Sequence, residues 1–174
     1  VVRLLRDLDH HTPGRTYRRE TGYREMRDWY LYSEATGPAR TCVMGTRSLK
    51  AELSPVWEAP HVQLSVRSDE GDGALVLTMP KPNPFDMEAP VLARVDGAPF
   101  ELSPHAGSGH LLPAPARAGA FLRAIAAGSG FEIDGRSRET GRRLRLGFSA
   151  YGFTAAFRAM LSECRRRDAL VWLE

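Results

Sequence analysis

The chain has 174 residues, 43% of them hydrophobic, so it is long enough to bury the core of one domain. Its 24 basic and 21 acidic residues leave a net charge of +3, and this modest excess argues against a nucleic-acid binder, which concentrates charge in a patch. No apolar run approaches the roughly 18 residues that span a bilayer. No signal peptide begins at Val1, although an exported chain after processing would look the same.

Arginine supplies all of the basic residues except Lys50 and Lys81. A GC-rich genome explains such a bias, and an anionic partner is the alternative, because arginine forks onto phosphate and carboxylate groups. The two densest arginine groups, each also typical of a solvated face, are Arg142, Arg143 and Arg145, and residues 165–167.

The composition divides the chain into three parts. Residues 1–27 are charged and interrupted by a Pro-Gly pair, which predicts an N-terminal arm that packs on the domain or on a partner. Residues 28–164 carry the alternating and helical patterns of a folded domain. Residues 165–174 are predicted to form a C-terminal tail.

Alternating side chains predict short strands in the first half of the domain. Alternation places Tyr30 and Tyr32 on the face opposite Trp29, where they either pack across strands or form a stacking platform. Cys42 and Met44 share one face of the next strand. A turn is expected at 70–73 and a proline-rich loop at 80–84. The predicted strands lie at 29–33, 40–46, 62–67 and 74–79.

The second half begins with the clearest hairpin of the chain. Asp96 and Gly97 supply the positive φ angles of a tight turn between strands at 91–95 and 100–102. Residues 107–115 are predicted to be irregular. A helix at 117–127 is predicted to bury Phe121, Leu122 and Ile125, and two further strands, at 131–133 and 144–148, flank a turn at Gly141.

The segment 148–164 predicts the end of a strand, a turn at Gly152 and a short amphipathic helix. Thr154 is the expected N-cap, because its hydroxyl can accept a hydrogen bond from a free N–H of the first turn. One helical face then carries residues at i, i+3, i+4 and i+7, namely Phe157, Met160, Leu161 and Cys164.

The number of strands and the spacing of the turns predict the fold class. Seven or eight short strands, turn signals about every ten residues and two short helices are typical of an antiparallel sandwich. No alternating βαβ pattern is present. We therefore predict a mainly β protein, an antiparallel β-sandwich with two short α-helices, one of them near the C-terminus.

These features together resemble the invasion-associated locus B family of alphaproteobacterial exported proteins, over roughly residues 28–164. The closing Phe-Ser-x-x-Gly-Phe-Thr-Ala-Ala element is the most specific part of the resemblance. The matching residues are Asp28, Trp29, Cys42, Val95, Asp96, Gly97, Phe148, Ser149, Gly152, Phe153, Thr154, Ala155, Ala156 and Cys164. Within this set we assign a structural role to Asp28, Trp29, Asp96, Gly97, Phe148, Gly152, Phe153 and Thr154.

The resemblance implies a β-sandwich exported to the periplasm or cell surface, with no established catalytic activity. It also implies a disulfide between Cys42 and Cys164, whereas composition alone leaves two buried free thiols as the alternative. We therefore expect a noncatalytic envelope protein that binds another protein through residues 1–27 or the C-terminal tail. Service as an accessory subunit of an envelope or membrane assembly is one form of this role.

The sequence predicts no catalytic, cofactor or metal site. His10 and His11 are adjacent and make a poor chelate on a strand, and His105 and His110 lack further zinc ligands nearby. Ser108 lies in a Gly-Ser-Gly-His loop without the spacing of a nucleophile elbow. We expect no nucleic-acid partner.

Two other functions stay open. A periplasmic hydrolase or carbohydrate-acting enzyme would reveal itself by two carboxylates roughly 5 to 10 Å apart in a cleft, or by a Ser–His contact. A weaker alternative is a binder of anionic surface polymers, whose affinity would fall steeply with salt.

Overall fold

The computed structural model describes residues 23–36, 38–51, 61–69, 77, 83–104 and 110–166. The strands are β1 Arg24–Met26, β2 Trp29–Thr36, β3 Ala39–Ala51, β4 His61–Arg67, β5 Val91–Val95, β6 Ala98–Pro104, β7 Leu111–Pro113, β8 Gly130–Arg136 and β9 Arg143–Ser149. A 3-10 turn at Pro115–Arg117 leads into helix α1, Ala118–Ala127, and helix α2 spans Phe153–Glu163. The predicted class, mainly antiparallel β with two short helices, is confirmed.

Strand β3 connects the two halves of the sheet. The strands follow the order β1-β2-β3-β9-β8-β5-β6-β7, all neighbours being antiparallel, and β4 pairs with β3. The first part of β3 pairs with β2 and β4, and its end pairs with β9. The register to β9 shifts between Ser48 and Lys50, which is typical of a β-bulge and places Leu49 at the irregularity.

The period-2 alternation of the strands decides which side chains form the core. Val62, Leu64 and Val66, which occupy alternate positions of β4, are buried in the main core. Trp29 lies in that core, whereas Tyr32 packs in a small separate cluster with Val43 on the opposite face of the sheet. One face of β1–β4 therefore closes the core, and the other presents a second surface.

The second half follows the predicted elements closely. Asp96 and Gly97 have φ angles of 46° and 84°, so the tight turn between β5 and β6 forms as expected. Helix α1 buries Phe121, Leu122 and Ile125, as its periodicity predicts. The ring of Phe121 lies 5.2 Å from that of Phe100, so the helix packs directly on the sheet.

Two local predictions were wrong. Residues 107–115 were expected to be irregular, but β7 forms at Leu111–Pro113 because it pairs with β6, and the buried Leu111 also exchanges two backbone hydrogen bonds with Leu77. Thr154 is not the N-cap of α2. Gly152 takes that position in a left-handed conformation, with no side-chain cap, and this turn directs Phe153 edge-on against Trp29.

Some predictions concern residues outside those described. These are 1–22 of the arm, 167–174 of the tail, and the turn and strand at 70–79 except for Leu77. Residues 24–26, which the sequence placed in the arm, form strand β1. Among the helices of the described residues, none is both long and apolar enough to cross a membrane.

Candidate functional site

The turn between β1 and β2 is fixed onto the segment that follows β9. Ser149 Oγ donates to Asp28 Oδ2 at 2.5 Å, and Trp29 Nε1 donates to the carbonyl oxygen of Ser149 at 3.1 Å. The backbone N–H of Asp28 donates to Tyr151, and Thr46 Oγ1 donates to the carbonyl oxygen of Asp28 at 2.7 Å. Three of these bonds join segments about 120 residues apart, and they bring Asp28, Trp29 and Ser149 together at one turn.

The same turn contains an uncommon backbone conformation. Arg27 has a φ of 62°, in the left-handed region that side chains other than glycine rarely adopt. Its guanidinium lies 5.3 Å from the centre of the Tyr151 ring, a cation–π contact. Gly152 lies against the turn so closely that a Cβ there would overlap the carbonyl oxygen of Met26. The β1–β2 turn and the segment after β9 therefore pack against each other, and each stabilises the conformation of the other.

A cleft of about 610 Å³ opens beside this turn. Stacked tyrosines line it: the rings of Tyr23 and Tyr30 are 6.0 Å apart, and the next ring in the row, Tyr32, is 6.4 Å from Tyr30. Tyr30 lies over Gly45, where any Cβ would collide with it, and its hydroxyl accepts a 2.7 Å hydrogen bond from Gln63. The tyrosine row is thus held in place from two neighbouring strands.

The cleft also collects exposed apolar and charged side chains. Of the residues that the structure describes, the exposed large hydrophobic ones are Leu49, at 66%, and Tyr151, at 59%. Leu49 lines the cleft together with Arg27, Arg47 and Asp28, and Tyr151 lies under the Arg27 guanidinium. Exposed apolar surface beside arginine and tyrosine is typical of a protein-interaction site.

The end of α2 is fixed to β3 by a disulfide and by a group of polar contacts. The disulfide that the resemblance implied joins Cys42 to Cys164, which are 122 positions apart and both fully buried. Glu163 accepts hydrogen bonds from Arg40 at 2.5 Å, from Ser33 at 3.1 Å and from Arg24 at 3.3 Å. We call Glu163, Cys164 and their partners the α2 latch.

The arginine group at 165–167 is not simply a solvated face. Arg166 is 6% exposed, and its Nη1 donates to the carbonyl oxygen of Arg67 at 3.0 Å. This contact continues the α2 latch onto β4. The group therefore contributes to packing, and its charge is not all available to a partner.

The other arginine group surrounds a buried acid. Asp134 is 8% exposed and accepts hydrogen bonds from Nε and Nη2 of Arg143, at 2.9 and 2.5 Å, and from Nε of Arg94, at 3.1 Å. The bonds from Arg143 outweigh partial desolvation, and with the help of Arg94 they lower the pKa of Asp134 from 3.8 to about 2.

This shift predicts a pH-dependent contribution to stability. A lowered folded-state pKa means that the stabilisation is complete above pH 4 and is lost as pH falls from about 4 towards 2. We expect a loss of about 1 kcal/mol, since Arg143 is 57% exposed and water screens the pair. Urea titrations give the free energy of unfolding at pH 6 and at pH 2.5. The decrease between these pH values should be about 1 kcal/mol larger in the native chain than in Asp134→Asn. An equal change in both proteins would contradict it.

The histidines and serine considered for chemistry are not assembled into a site by the described residues. His110 is buried, and His10, His11, His105 and Ser108 lie outside the described part of the chain. Within the described ranges, no three His, Cys, Asp or Glu side chains are grouped to hold a metal ion. The hydroxyl of Ser149 donates to Asp28 and accepts the N–H of Tyr151.

Sequence reasoning missed the residues that give the cleft its character. Arg27, Arg47 and Leu49 carry no motif, and Tyr151 stood only as a variable position in the closing element. No sequence signal marks Leu49, because the bulge at this position is visible only as a register shift between β3 and β9.

No family model and no curated protein matches the sequence. The fold is similar to the crystal structure of invasion associated protein B from Bartonella henselae. The TM-score is 0.58 with 17% sequence identity, and the match covers 82% of this chain and 97% of that chain. The resemblance inferred from the closing element and the Asp28 turn is therefore supported at the level of the fold.

Proposed function

We propose that this chain is an exported, noncatalytic β-domain of the cell envelope that acts by binding another protein. The cleft at the β1–β2 turn is the proposed docking site. The observation that carries the proposal is that the exposed Leu49 lines the cleft together with Arg27, whose guanidinium lies over the exposed ring of Tyr151.

Export is supported by the disulfide and by the fold. Buried disulfides between distant strands and helices persist in oxidising compartments such as the periplasm and are rare in the cytosol. The Cys42–Cys164 bridge is of this kind, and the fold is similar to that of invasion associated protein B. The periplasm or the envelope surface is therefore the proposed location.

Protein binding is supported by the chemistry of the cleft. Leu49 and Tyr151 offer apolar area, and Tyr and Arg are the residue types that most often dominate binding energy at interfaces. The stacked tyrosines form a rigid wall, so little side-chain entropy is lost on contact. Arg27 and Arg47 line the cleft beside Glu25 and Asp28, so a partner that brings groups of both charges around an apolar side chain would complement it.

The arm predicted from sequence contributes to this site. Tyr23, Glu25 and Arg27 lie within residues 1–27 and line the cleft. A partner bound in the cleft would therefore contact the N-terminal arm. Service as an accessory subunit of a larger envelope assembly is one form of this proposed role.

A paired-variant experiment tests the docking site. The native chain is affinity-purified from envelope extracts, and the recovered partner is then purified and titrated with the native chain. We expect Leu49→Asp to weaken the measured affinity about tenfold or more, because it places a desolvated charge in the contact. Ser103→Asp, which adds the same charge at an exposed position of β6, is the matched control and should bind as the native chain does.

Two outcomes would overturn the proposal. One is equal affinity of Leu49→Asp and the native chain, with both folded by circular dichroism. The other is a native chain that sediments from envelope extracts as a monomer without partner. Hydrolysis of a substrate by the native chain would instead favour the hydrolase alternative.

A further inference from the structure

A second, smaller pocket lies between the β8–β9 hairpin and the loop before β5. It encloses about 290 Å³, with Ala89 and Pro90 on one side and Arg136 and Arg143 on the other. Backbone hydrogen bonds hold the loop against the hairpin. The N–H of Asp86 donates to the carbonyl oxygen of Arg136 at 2.9 Å, and the N–H of Arg138 donates to the carbonyl oxygen of Pro84 at 2.8 Å. The walls of the pocket are therefore fixed relative to each other.

The two arginines of this pocket are paired on the neighbouring strands β8 and β9. Arg136 of β8 is directly opposite Arg143 of β9, and like charges at opposed positions destabilise a strand pair. Arg136 is exposed and makes no ion pair within the described residues. Asp134 already pairs with Arg143, and an anion between the two guanidinium groups would also pair with Arg136 and offset the remaining repulsion.

The surrounding charge is concentrated. Residues 134–145 contain five arginines and two acids, a net charge of +3 that equals the net charge of the whole chain. These residues are all described, and Arg138, Arg142 and Arg145 are exposed along with the two pocket arginines. The sequence singled out part of this group, and the hairpin brings it to one end of the sheet.

Asp134 fixes the orientation of Arg143 and accepts only some of the hydrogen bonds that the Arg143 guanidinium can donate. Arg143 gives its Nε and one Nη2 N–H to Asp134. A guanidinium has five N–H donors, so three of those on Arg143 remain for another acceptor. Asp134 also binds Arg94, so this one carboxylate already faces two cations and is a positioning residue for the pocket.

We propose that the pocket between Arg136 and Arg143 binds a phosphate group. Paired guanidinium forks match phosphate oxygens bidentately and with short charge-assisted hydrogen bonds. Gly135 and Gly141 line the pocket, and nothing lies within 4 Å of a Cβ at Gly141, so the hairpin side stays open to the anion. The volume suits one phosphate with a small attached group.

Nearby acids decide how the anion is held. Asp134 itself lines the pocket, and Asp86, Glu88, Glu132 and Glu139 lie on the loop, the strand and the hairpin turn around it, so these acids reduce its long-range field. Attraction from a distance is therefore weak, and binding depends on direct hydrogen bonds from Arg136 and Arg143. This separates the site from a general polyanion patch, whose affinity follows total charge.

Calorimetric titration with inorganic phosphate at constant ionic strength tests the site. We expect Arg136→Gln to weaken phosphate binding about tenfold or more, because it removes one of the two forks. Arg138→Gln removes the same charge from the same hairpin but does not line the pocket, and it should bind within about twofold of the native chain. Equal losses in the two variants, or no heat with the native chain, would overturn the proposal.

The source of the phosphate is resolved by further arms of the same experiment. Glycerol phosphate tests a soluble monoester, and phosphatidylglycerol vesicles against phosphatidylcholine vesicles test a lipid headgroup. Binding to phosphatidylglycerol that Arg136→Gln loses assigns the site to an anionic lipid, and binding to the soluble anions alone assigns it to a free phosphate compound. Binding to both vesicle types that is unchanged in Arg136→Gln contradicts a phosphate site. We expect Leu49→Asp to bind phosphate and vesicles as the native chain does, so the phosphate pocket and the docking cleft are tested independently.

Discussion

Replacing Cys42 and Cys164 together by alanine is expected to lower the free energy of unfolding by about 4 kcal/mol. The bond closes a loop across a sequence separation of 122, and the chain-entropy account gives about 4 to 5 kcal/mol for loops of this length. Alanine is preferred to serine, since both positions are fully buried and a hydroxyl would need a partner there. Urea unfolding of the native and double-variant chains measures the difference.

Reduction of the native chain provides the matched control. The reduced native chain and the Cys42→Ala, Cys164→Ala variant both lack the bond, so their unfolding midpoints should approach each other and lie below that of the oxidised chain. The α2 latch keeps its contacts from Glu163 to Arg40 and from Arg166 to Arg67 in the variant, so the helix should stay docked at 25 °C. Equal midpoints for the oxidised native chain and the variant, or two thiols freely alkylated in the native protein, would contradict the prediction.

Much of the fold follows from local sequence patterns. The alternation at 62–67 predicts the buried face of β4 because a strand side chain points to one face at every second position. Asp96 and Gly97 predict their turn because their positive φ angles match the twist of the flanking strands. The apolar spacing of α1 likewise predicts its buried residues. Each of these signals lies within about ten residues.

Long-range pairing explains what the local patterns missed. Leu111 pairs with Pro104 of β6 and exchanges backbone hydrogen bonds with the distant Leu77, and the residues around Leu111 do not encode either partner. The helix α2 begins one residue before the expected threonine cap because Gly152 is held in a left-handed conformation by contact with the β1–β2 turn. In both cases a partner distant in the chain overrides the local preference.

The candidate site likewise combines residues that the sequence pattern indicated with residues that only long-range packing brings together. Asp28, Trp29 and Gly152 were recognised as a signature, and the structure shows their joint role in holding one turn. Leu49 and Arg47 join them only because β3 is long enough to pass this turn and then bulge towards β9. The signature residues therefore build the support of the cleft, and residues without any motif supply its contact surface.

Gly152→Ala is expected to cost about 3 kcal/mol or more of unfolding free energy. The residue has a φ of 93°, where alanine is strained by roughly 1 to 2 kcal/mol. A Cβ there would also overlap the carbonyl oxygen of Met26 and lie 2.9 Å from the Cβ of Arg27. Both contacts are with the β1–β2 turn and not with the end of a flexible side chain, so relief requires the turn itself to move.

Two other glycines separate the causes. Gly97 has a φ of 84° with nothing within 4 Å of a Cβ, so Gly97→Ala measures conformational strain without collision and should cost about 1 to 2 kcal/mol. Gly147 has open space and no positive φ, so Gly147→Ala should change stability by about 0.5 kcal/mol at most. Urea unfolding of the three variants gives the order directly, and a Gly152→Ala cost no larger than that of Gly97→Ala would contradict the close approach.

The same variant connects stability with binding. Moving the β1–β2 turn away from Gly152 displaces Arg27 from the Tyr151 ring and alters the edge of the cleft that also carries Leu49. We therefore expect Gly152→Ala to lose affinity for the proposed partner at temperatures where it is still folded, while Gly97→Ala, on the β5–β6 hairpin, keeps it. Retained affinity in a folded Gly152→Ala protein would mean that the turn does not shape the docking surface, because the strain and the overlap both act at that one place.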